Sequence, residues 1–171
     1  MPVTDVTTDP DTRTITITAH FAAPVDRVWA LYADPRQLEK VWGPPTHPAT
    51  FVEHALEPGG RMSYYMTGPE GERYGGWWEI TEVDEPRSFS FRDGFADTDL
   101  NPVDTMPVST STYTFEPVDG GTRAVFHSSY DSAEALQQVL DMGVEEGATS
   151  AINQIDDLVG QMHADTHARM Q

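Results

Sequence analysis

Hydrophobic and polar residues alternate strictly in the segment TITITAHF, at residues 14–21. The apolar residues Ile15, Ile17, Ala19 and Phe21 fall on one side of an extended chain. This period of two is typical of a strand that buries one face, and it predicts the first strand of the protein.

The period becomes helical in residues 23–42. Val25, Val28, Trp29 and Tyr32 share one helical face, and the proline before them suits a first helical turn. The pair Asp-Pro at residues 34–35 ends this helix, because a residue before proline disfavours helical backbone. The pattern therefore predicts a second short helix that ends at Trp42.

Alternation returns from residue 49 and continues to residue 130, broken by turns rich in glycine and proline. This pattern predicts six further antiparallel strands. They are ATFVEHAL (49–56), RMSYYMT (61–67), YGGWWEITEVD (74–84), SFSF (88–91), STSTYTFEPV (109–118) and TRAVFHSSY (122–130).

A final long helix is predicted over residues 132–163, with Asp131 or Ser132 as its cap. Gly143 and Gly147 lie four residues apart on its apolar face, although a glycine inside a helix costs about 1 kcal/mol relative to alanine. Either a close sheet contact or a cavity has to compensate for the missing side chains.

The element order is β-αα-β6-α, and only the last helix is long enough to cover a meander of this length. The predicted fold class is therefore α+β, a helix-grip fold with a curved antiparallel sheet around a long C-terminal helix. We expect a flexible leader at residues 1–12, a single domain at 13–163 and a frayed tail at 164–171.

Charge and composition narrow the partners. The chain has 28 acidic and 10 basic residues, a net charge of −18, and no cysteine. Such a surface repels phosphate backbones and anionic lipid, so nucleic-acid binding is not expected. The start of the chain has no apolar segment typical of a signal peptide, and no apolar run reaches membrane-spanning length. We therefore expect a cytoplasmic protein without membrane insertion.

Several segments resemble, in order, the Activator of Hsp90 ATPase homologue-like proteins of the START-like SRPBCC superfamily. They are FAAPVDRVWALYADPRQLEKVWGPP, EPGGRMSYYM, YGGWWEITEVDEPRSFSF, GGTRAVF and MGVEEGATSAINQIDDLV, within residues 14–160. The resemblance implies the Bet v-type helix-grip fold and a deep apolar cavity under the long helix, with Trp42 at its mouth. It implies no single function, because the superfamily includes carriers, cyclases and receptors.

Candidate ligand-binding residues follow from the inward positions of the strands and from the glycines of the last helix. They are rich in aromatic and methionine side chains, which suit a permissive apolar site. The set is Trp42, Met62, Tyr64, Met66, Trp78, Phe89, Phe91, Tyr113, Phe115, Met142, Gly143 and Gly147. The alternative is that these residues simply fill the core.

Catalytic and metal-binding motifs are sparse. His54 is the one candidate acid or base, if it faces the pocket. His163 and His167 have the spacing of a helical metal pair but no third ligand nearby, so neither a metal nor another cofactor is expected. The neighbours Trp77 and Trp78 point to opposite faces of the sheet, and an exposed Trp77 would favour a homodimer interface.

The favoured hypothesis is binding of a small hydrophobic or amphipathic molecule between the last helix and the sheet, without catalysis. The alternative is a cyclase or hydrolase that uses His54 or a tyrosine on a polyketide-like substrate. A stress-related chaperone partner is the third hypothesis.

Overall fold

The computed structural model describes residues 2–159. The strands are β1 (Val3–Asp9), β2 (Thr14–Phe21), β3 (Ala49–Glu53), β4 (Arg61–Thr67), β5 (Arg73–Asp84), β6 (Ser88–Ala96), β7 (Ser109–Val118) and β8 (Gly121–Tyr130). The helices are α1 (Val25–Ala33) and α2 (Pro35–Trp42), between β2 and β3, and α3 (Ala133–Asp141) and α4 (Val144–Ile152), after β8.

The strands form one eight-stranded antiparallel sheet in the order β1-β2-β8-β7-β6-β5-β4-β3. Consecutive strands from β3 to β8 are neighbours, so this part is a meander, and β2 closes onto β8. The helices contact one face of the curved sheet, and the helix-grip prediction is confirmed. We call the covered face the concave face.

The prediction of a flexible leader at residues 1–12 is wrong for most of that segment. Residues 3–9 form β1, which pairs along β2 from Val3 opposite Ala19 to Asp9 opposite Thr14. Only Val3 and Val6 of β1 pack against the core, so the strand carries little hydrophobic signal. Its β-branched residues and the open edge of β2 account for the pairing.

The single long helix predicted after β8 is also wrong, because the chain breaks at Gly143. The Oγ of Ser132 caps α3 by accepting a hydrogen bond from the Ala135 N–H, as the sequence suggested. Gly143 then adopts a left-handed conformation, with φ +80°, and starts α4. Residues 153–154 form a turn, and helical structure resumes at 155–159.

Aromatic rings fill the middle of the concave face. Trp78 stacks on Phe91 with ring centroids 4.2 Å apart, and Phe91 stacks on Phe89 at 5.6 Å. From α1, Trp29 meets Phe89 edge-on at 5.8 Å. These contacts make a packed core in which apolar burial and ring geometry both stabilise the fold.

Candidate functional site

One row of side chains crosses the concave face from β4 to β8 and places a carboxyl group in its centre. The cross-strand partners along this row are Met62, Trp78, Asp93, Ser109 and Tyr130. All five lie on the same face because directly paired residues of neighbouring strands point to the same side. An ionisable side chain therefore lies among buried side chains, of which Met62 and Trp78 are apolar.

No group of opposite charge lies beside the carboxyl group of Asp93 in the described part of the chain. Asp93 is half-buried, and within the described residues its carboxyl group has neither a hydrogen-bond donor nor a basic side chain as partner. Burial disfavours the ionised form and raises the pKa of Asp93 to about 7. The neighbouring Arg92 points to the opposite face, where it lies over the ring of Trp77.

Three tyrosines, from β4, β7 and β8, lie close enough to Asp93 for its charge to act on their hydroxyl groups. Burial raises the pKa of Tyr64, Tyr113 and Tyr130, and the charge of Asp93 raises each of them further. All three phenols are therefore neutral at physiological pH and are available as hydrogen-bond donors.

Tyr64 reaches towards Asp93 because its strand neighbour has no side chain. Tyr64 pairs with Gly76, and a Cβ atom at Gly76 would collide with the tyrosine ring and hydroxyl. Glycine at this position lets the ring lie across β5 in the direction of β6.

Two indole N–H groups point into the same region. Those of Trp42 and Trp78 lie near enough to the Tyr64 hydroxyl to oppose the rise in its pKa. Neither indole meets the full geometry of a hydrogen bond, so both are buried donors without a partner among the described residues. We call the site formed by Trp42, Tyr64, Trp78 and Asp93 the Asp93 niche.

A small cavity lies beside the niche, under α4, and measures about 50 Å³. Its lining combines apolar side chains with hydroxyl-bearing ones, and it includes Tyr113 and Tyr130, two of the three tyrosines on which the charge of Asp93 acts. The lining residues are Ile15, Ile17, Tyr113, Phe126, Ser128, Tyr130, Val144, Glu145, Ala148 and Ile152. Ligand pockets usually measure roughly 300–1,000 Å³, so the cavity is much smaller than the one expected from the sequence.

Most of the candidate ligand-binding residues lie together on the concave face, but their side chains pack against one another. Met62, Tyr64, Trp78, Phe89, Phe91 and Phe115 are buried, and Trp42, Met66 and Tyr113 are half-buried. Trp42 meets Trp78 edge-on at 4.6 Å between ring centroids. Of the predicted set, only Tyr113 lines the cavity under α4.

The positions predicted on the last helix do not line that cavity. Met142 is 49% exposed, because it ends α3 where the chain turns at Gly143. A Cβ atom at Gly147 would meet nothing within 4 Å, so open space lies beside this part of α4. The inner wall is formed instead by Val144, Ala148 and Ile152.

His54 lies just after β3 and has a structural contact. Its Nε2 lies 2.8 Å from the backbone carbonyl oxygen of Tyr32, to which it must donate, so this nitrogen is protonated and cannot act as a base. The exposed ring of His127 contacts the Thr16 hydroxyl. His163 and His167 lie outside the described residues. Over residues 2–159, no group of acidic and histidine side chains fits a metal ion.

The two adjacent tryptophans take different roles. Trp78 is fully buried in the core, whereas Trp77 lies on the outer face and donates its indole N–H to the carbonyl oxygen of Phe95 at 3.1 Å. A Cβ atom at Gly94 would lie 2.6 Å from the Trp77 ring, so the ring packs flat over this glycine. With 9% of its surface exposed, Trp77 offers no open dimer contact.

A larger groove, about 430 Å³, lies at the start of α1 beside the β7–β8 turn. It opens to solvent at the end of β8 opposite to Tyr130, and none of its lining residues belongs to the Asp93 niche. Among residues 2–159, no helix is both long enough and apolar enough to cross a membrane.

Sequence reasoning missed Asp93, although a signal was present. Phe89 and Phe91 predict an inward face, and continuing the alternation by one step places Asp93 on it. The predicted strand stopped at Phe91, whereas β6 continues to Ala96, so Asp93 fell into a predicted loop.

Comparison with known proteins places this arrangement in a family. The family model Activator of Hsp90 ATPase homolog 1-like protein matches residues 22–160. A Mycobacterium smegmatis crystal structure is similar at 71% identity and a TM-score of 0.86, over 92% of this chain and 96% of that one. An Arthrobacter aurescens solution structure is similar at 45% identity and a TM-score of 0.89, over 93% and 92%. No curated protein matches the chain.

Proposed function

Because the chain belongs to the family of Activator of Hsp90 ATPase homolog 1-like proteins, we propose that it binds a small hydrophobic or amphipathic molecule between α4 and the concave face. Members of this family commonly bind hydrophobic ligands. The observation that carries the proposal is the cavity under α4, where apolar walls meet the hydroxyls of Tyr113 and Tyr130. Apolar walls with a few polar groups are typical of small-molecule sites.

Binding requires α4 to move, because about 50 Å³ holds only one or two water molecules. Two features of α4 favour such movement. The left-handed Gly143 separates it from α3, and open space lies beside Gly147. An outward shift of α4 would widen the cavity without disturbing the stacked rings below Trp78.

Filling the cavity tests this proposal. Ala148→Leu adds three carbon atoms to the inner wall, which should block the site and reduce the affinity for dodecanol by roughly tenfold or more. Glu146→Leu adds a leucine at an exposed position of the same helix and should leave the affinity within about twofold. Titration calorimetry with dodecanol measures both variants.

Thermal unfolding of both variants checks that they remain folded. If Ala148→Leu binds dodecanol as tightly as the unmodified protein does, the cavity under α4 is not the binding site. Native mass spectrometry of the purified protein complements the titration, because a co-purified apolar molecule should be lost from Ala148→Leu and kept by Glu146→Leu.

A further inference from the structure

Four polar groups from four elements converge in the Asp93 niche. Trp42 comes from the end of α2, Tyr64 from β4, Trp78 from β5 and Asp93 from β6. Trp78 and Asp93 are direct cross-strand partners, and Tyr64 crosses Gly76 towards them. The indole N–H groups of Trp42 and Trp78 are buried without partners among the described residues, and such groups are rare in folded proteins.

No element that faces Asp93 supplies a positive charge. The titratable groups on which its charge acts are phenols: Tyr64 from β4, Tyr113 from β7 and Tyr130 from β8. Glu145 of α4 lines the neighbouring cavity, and its side chain is acidic, so it supplies no positive charge either. The carboxylate of Asp93 is therefore an acceptor whose natural partner, a cation, is missing from the described chain.

The rest of the molecule also favours a cation. The net charge of −18 produces a negative potential, which concentrates cations and repels carboxylates and phosphates. The unpartnered indole N–H groups of Trp42 and Trp78 add donors for an oxygen atom close to that cation.

We propose that the Asp93 niche binds the ammonium group of a long-chain amine, whose hydrocarbon part occupies the cavity under α4. The ammonium group donates to the carboxylate of Asp93, and a hydroxyl oxygen beside the amine, where the ligand has one, accepts from the indole N–H groups. This inference rests on the proposed function and adds the class of ligand.

Three probes of twelve carbon atoms each separate the possibilities: dodecylamine, dodecanol and dodecanoate. Dodecylamine should bind most tightly, and Asp93→Asn should weaken it by roughly tenfold or more, because the charge pair is lost. The same substitution should change dodecanol binding by less than about twofold. Asp119→Asn removes an equal charge from the exposed β7–β8 turn and should leave all three affinities unchanged.

The pH dependence provides a second readout. Dodecylamine stays protonated near neutral pH, so its affinity should follow the ionisation of Asp93 and rise up to about tenfold between pH 6 and pH 8. Asp93→Asn should abolish this dependence, whereas Asp119→Asn should retain it.

The outcomes distinguish the two proposals. If none of the three probes binds, the proposed function itself is wrong. If dodecanol binds and dodecylamine shows no preference, no pH dependence or no loss in Asp93→Asn, the amine assignment is overturned and the cavity proposal stands. Tighter binding of dodecanoate would likewise overturn the amine assignment.

Discussion

The carboxyl group of Asp93 has no partner among the described residues, which lowers the stability of the folded protein. The same lack of a partner suits Asp93 to bind the ammonium group proposed above. Its carboxyl group is held among aromatic rings without a partner, so ionisation is opposed in the folded chain but not in the unfolded one. Ionisable groups with strongly shifted pKa values are enriched at functional sites. They are retained there although they lower the stability of the protein.

Replacing Asp93 by asparagine should therefore stabilise the protein, increasingly so as the pH rises. The folded pKa of Asp93, about 7, lies above the unfolded value of about 3.8. Between these values the folded state binds more protons than the unfolded state, so wild-type stability falls as the pH rises through this window. Asp93→Asn should gain roughly 1–3 kcal/mol at pH 8 and much less near pH 5.

Urea denaturation at the two pH values measures this gain. Asp119→Asn serves as the control, because its carboxyl group is exposed in a turn. A gain for Asp93→Asn that does not depend on pH would contradict burial as the cause of the raised pKa.

At the scale of elements, the two glycines of the segment predicted as one last helix have different roles. Gly143 has φ +80°, a conformation that side chains disfavour, and it separates the end of α3 from the start of α4. Gly147 lies inside α4 with ordinary helical backbone and open space beside it. Only the first glycine is required by backbone geometry.

Substituting each glycine by alanine should thus have opposite effects. Gly143→Ala forces a side chain into the left-handed region and should cost roughly 1 kcal/mol of unfolding free energy. Gly147→Ala lowers the backbone entropy of the unfolded chain at a helical position and should gain up to about 1 kcal/mol. Chemical denaturation of the pair measures both, and a loss for Gly147→Ala would show that the open space is needed for stability.

The elements themselves were predictable where alternation or helical period was strong. β7 agrees with its predicted bounds, and Trp78 falls on the inward face as its spacing requires. The breaks were harder, because the apolar period continues across Gly143 and only the backbone angle ends α3. β1 was missed for the converse reason, since an edge strand with two half-buried valines has almost no hydrophobic period.

The candidate site was predictable in its apolar part and not in its polar part. Alternation identifies which rings face inward, but ring-to-ring packing decides whether they enclose a cavity. The niche depends on Gly76, which the sequence shows only as one member of a Gly-Gly pair. The role of Gly76 becomes clear only once the pairing of β4 with β5 shows that Tyr64 lies opposite it.

At the scale of the whole molecule, the first strand fastens the last helices over the sheet. The Val3 N–H donates to Oδ1 of Asn153, just after α4, at 3.0 Å. The Thr8 hydroxyl donates to Glu145, in the first turn of α4, at 2.9 Å. Residues from opposite ends of the described chain thus hold both ends of the element that must move for binding.

Removing one of these fastenings should loosen α4 and leave the sheet intact. Thr8→Val deletes the hydroxyl that holds Glu145 and should weaken local stability by roughly 0.5–1 kcal/mol. Amide hydrogen exchange in residues 144–149 should accelerate roughly two- to fivefold, whereas exchange in β4 and β5 should not change.

Thr4→Val is the matched control, because the Thr4 hydroxyl bonds only to the Thr18 carbonyl oxygen within the sheet. Equal acceleration in both variants would mean that β1 stabilises α4 through the sheet edge and not through Glu145. An acceleration confined to Thr8→Val, together with faster association of dodecanol, would identify α4 as the element that opens the site.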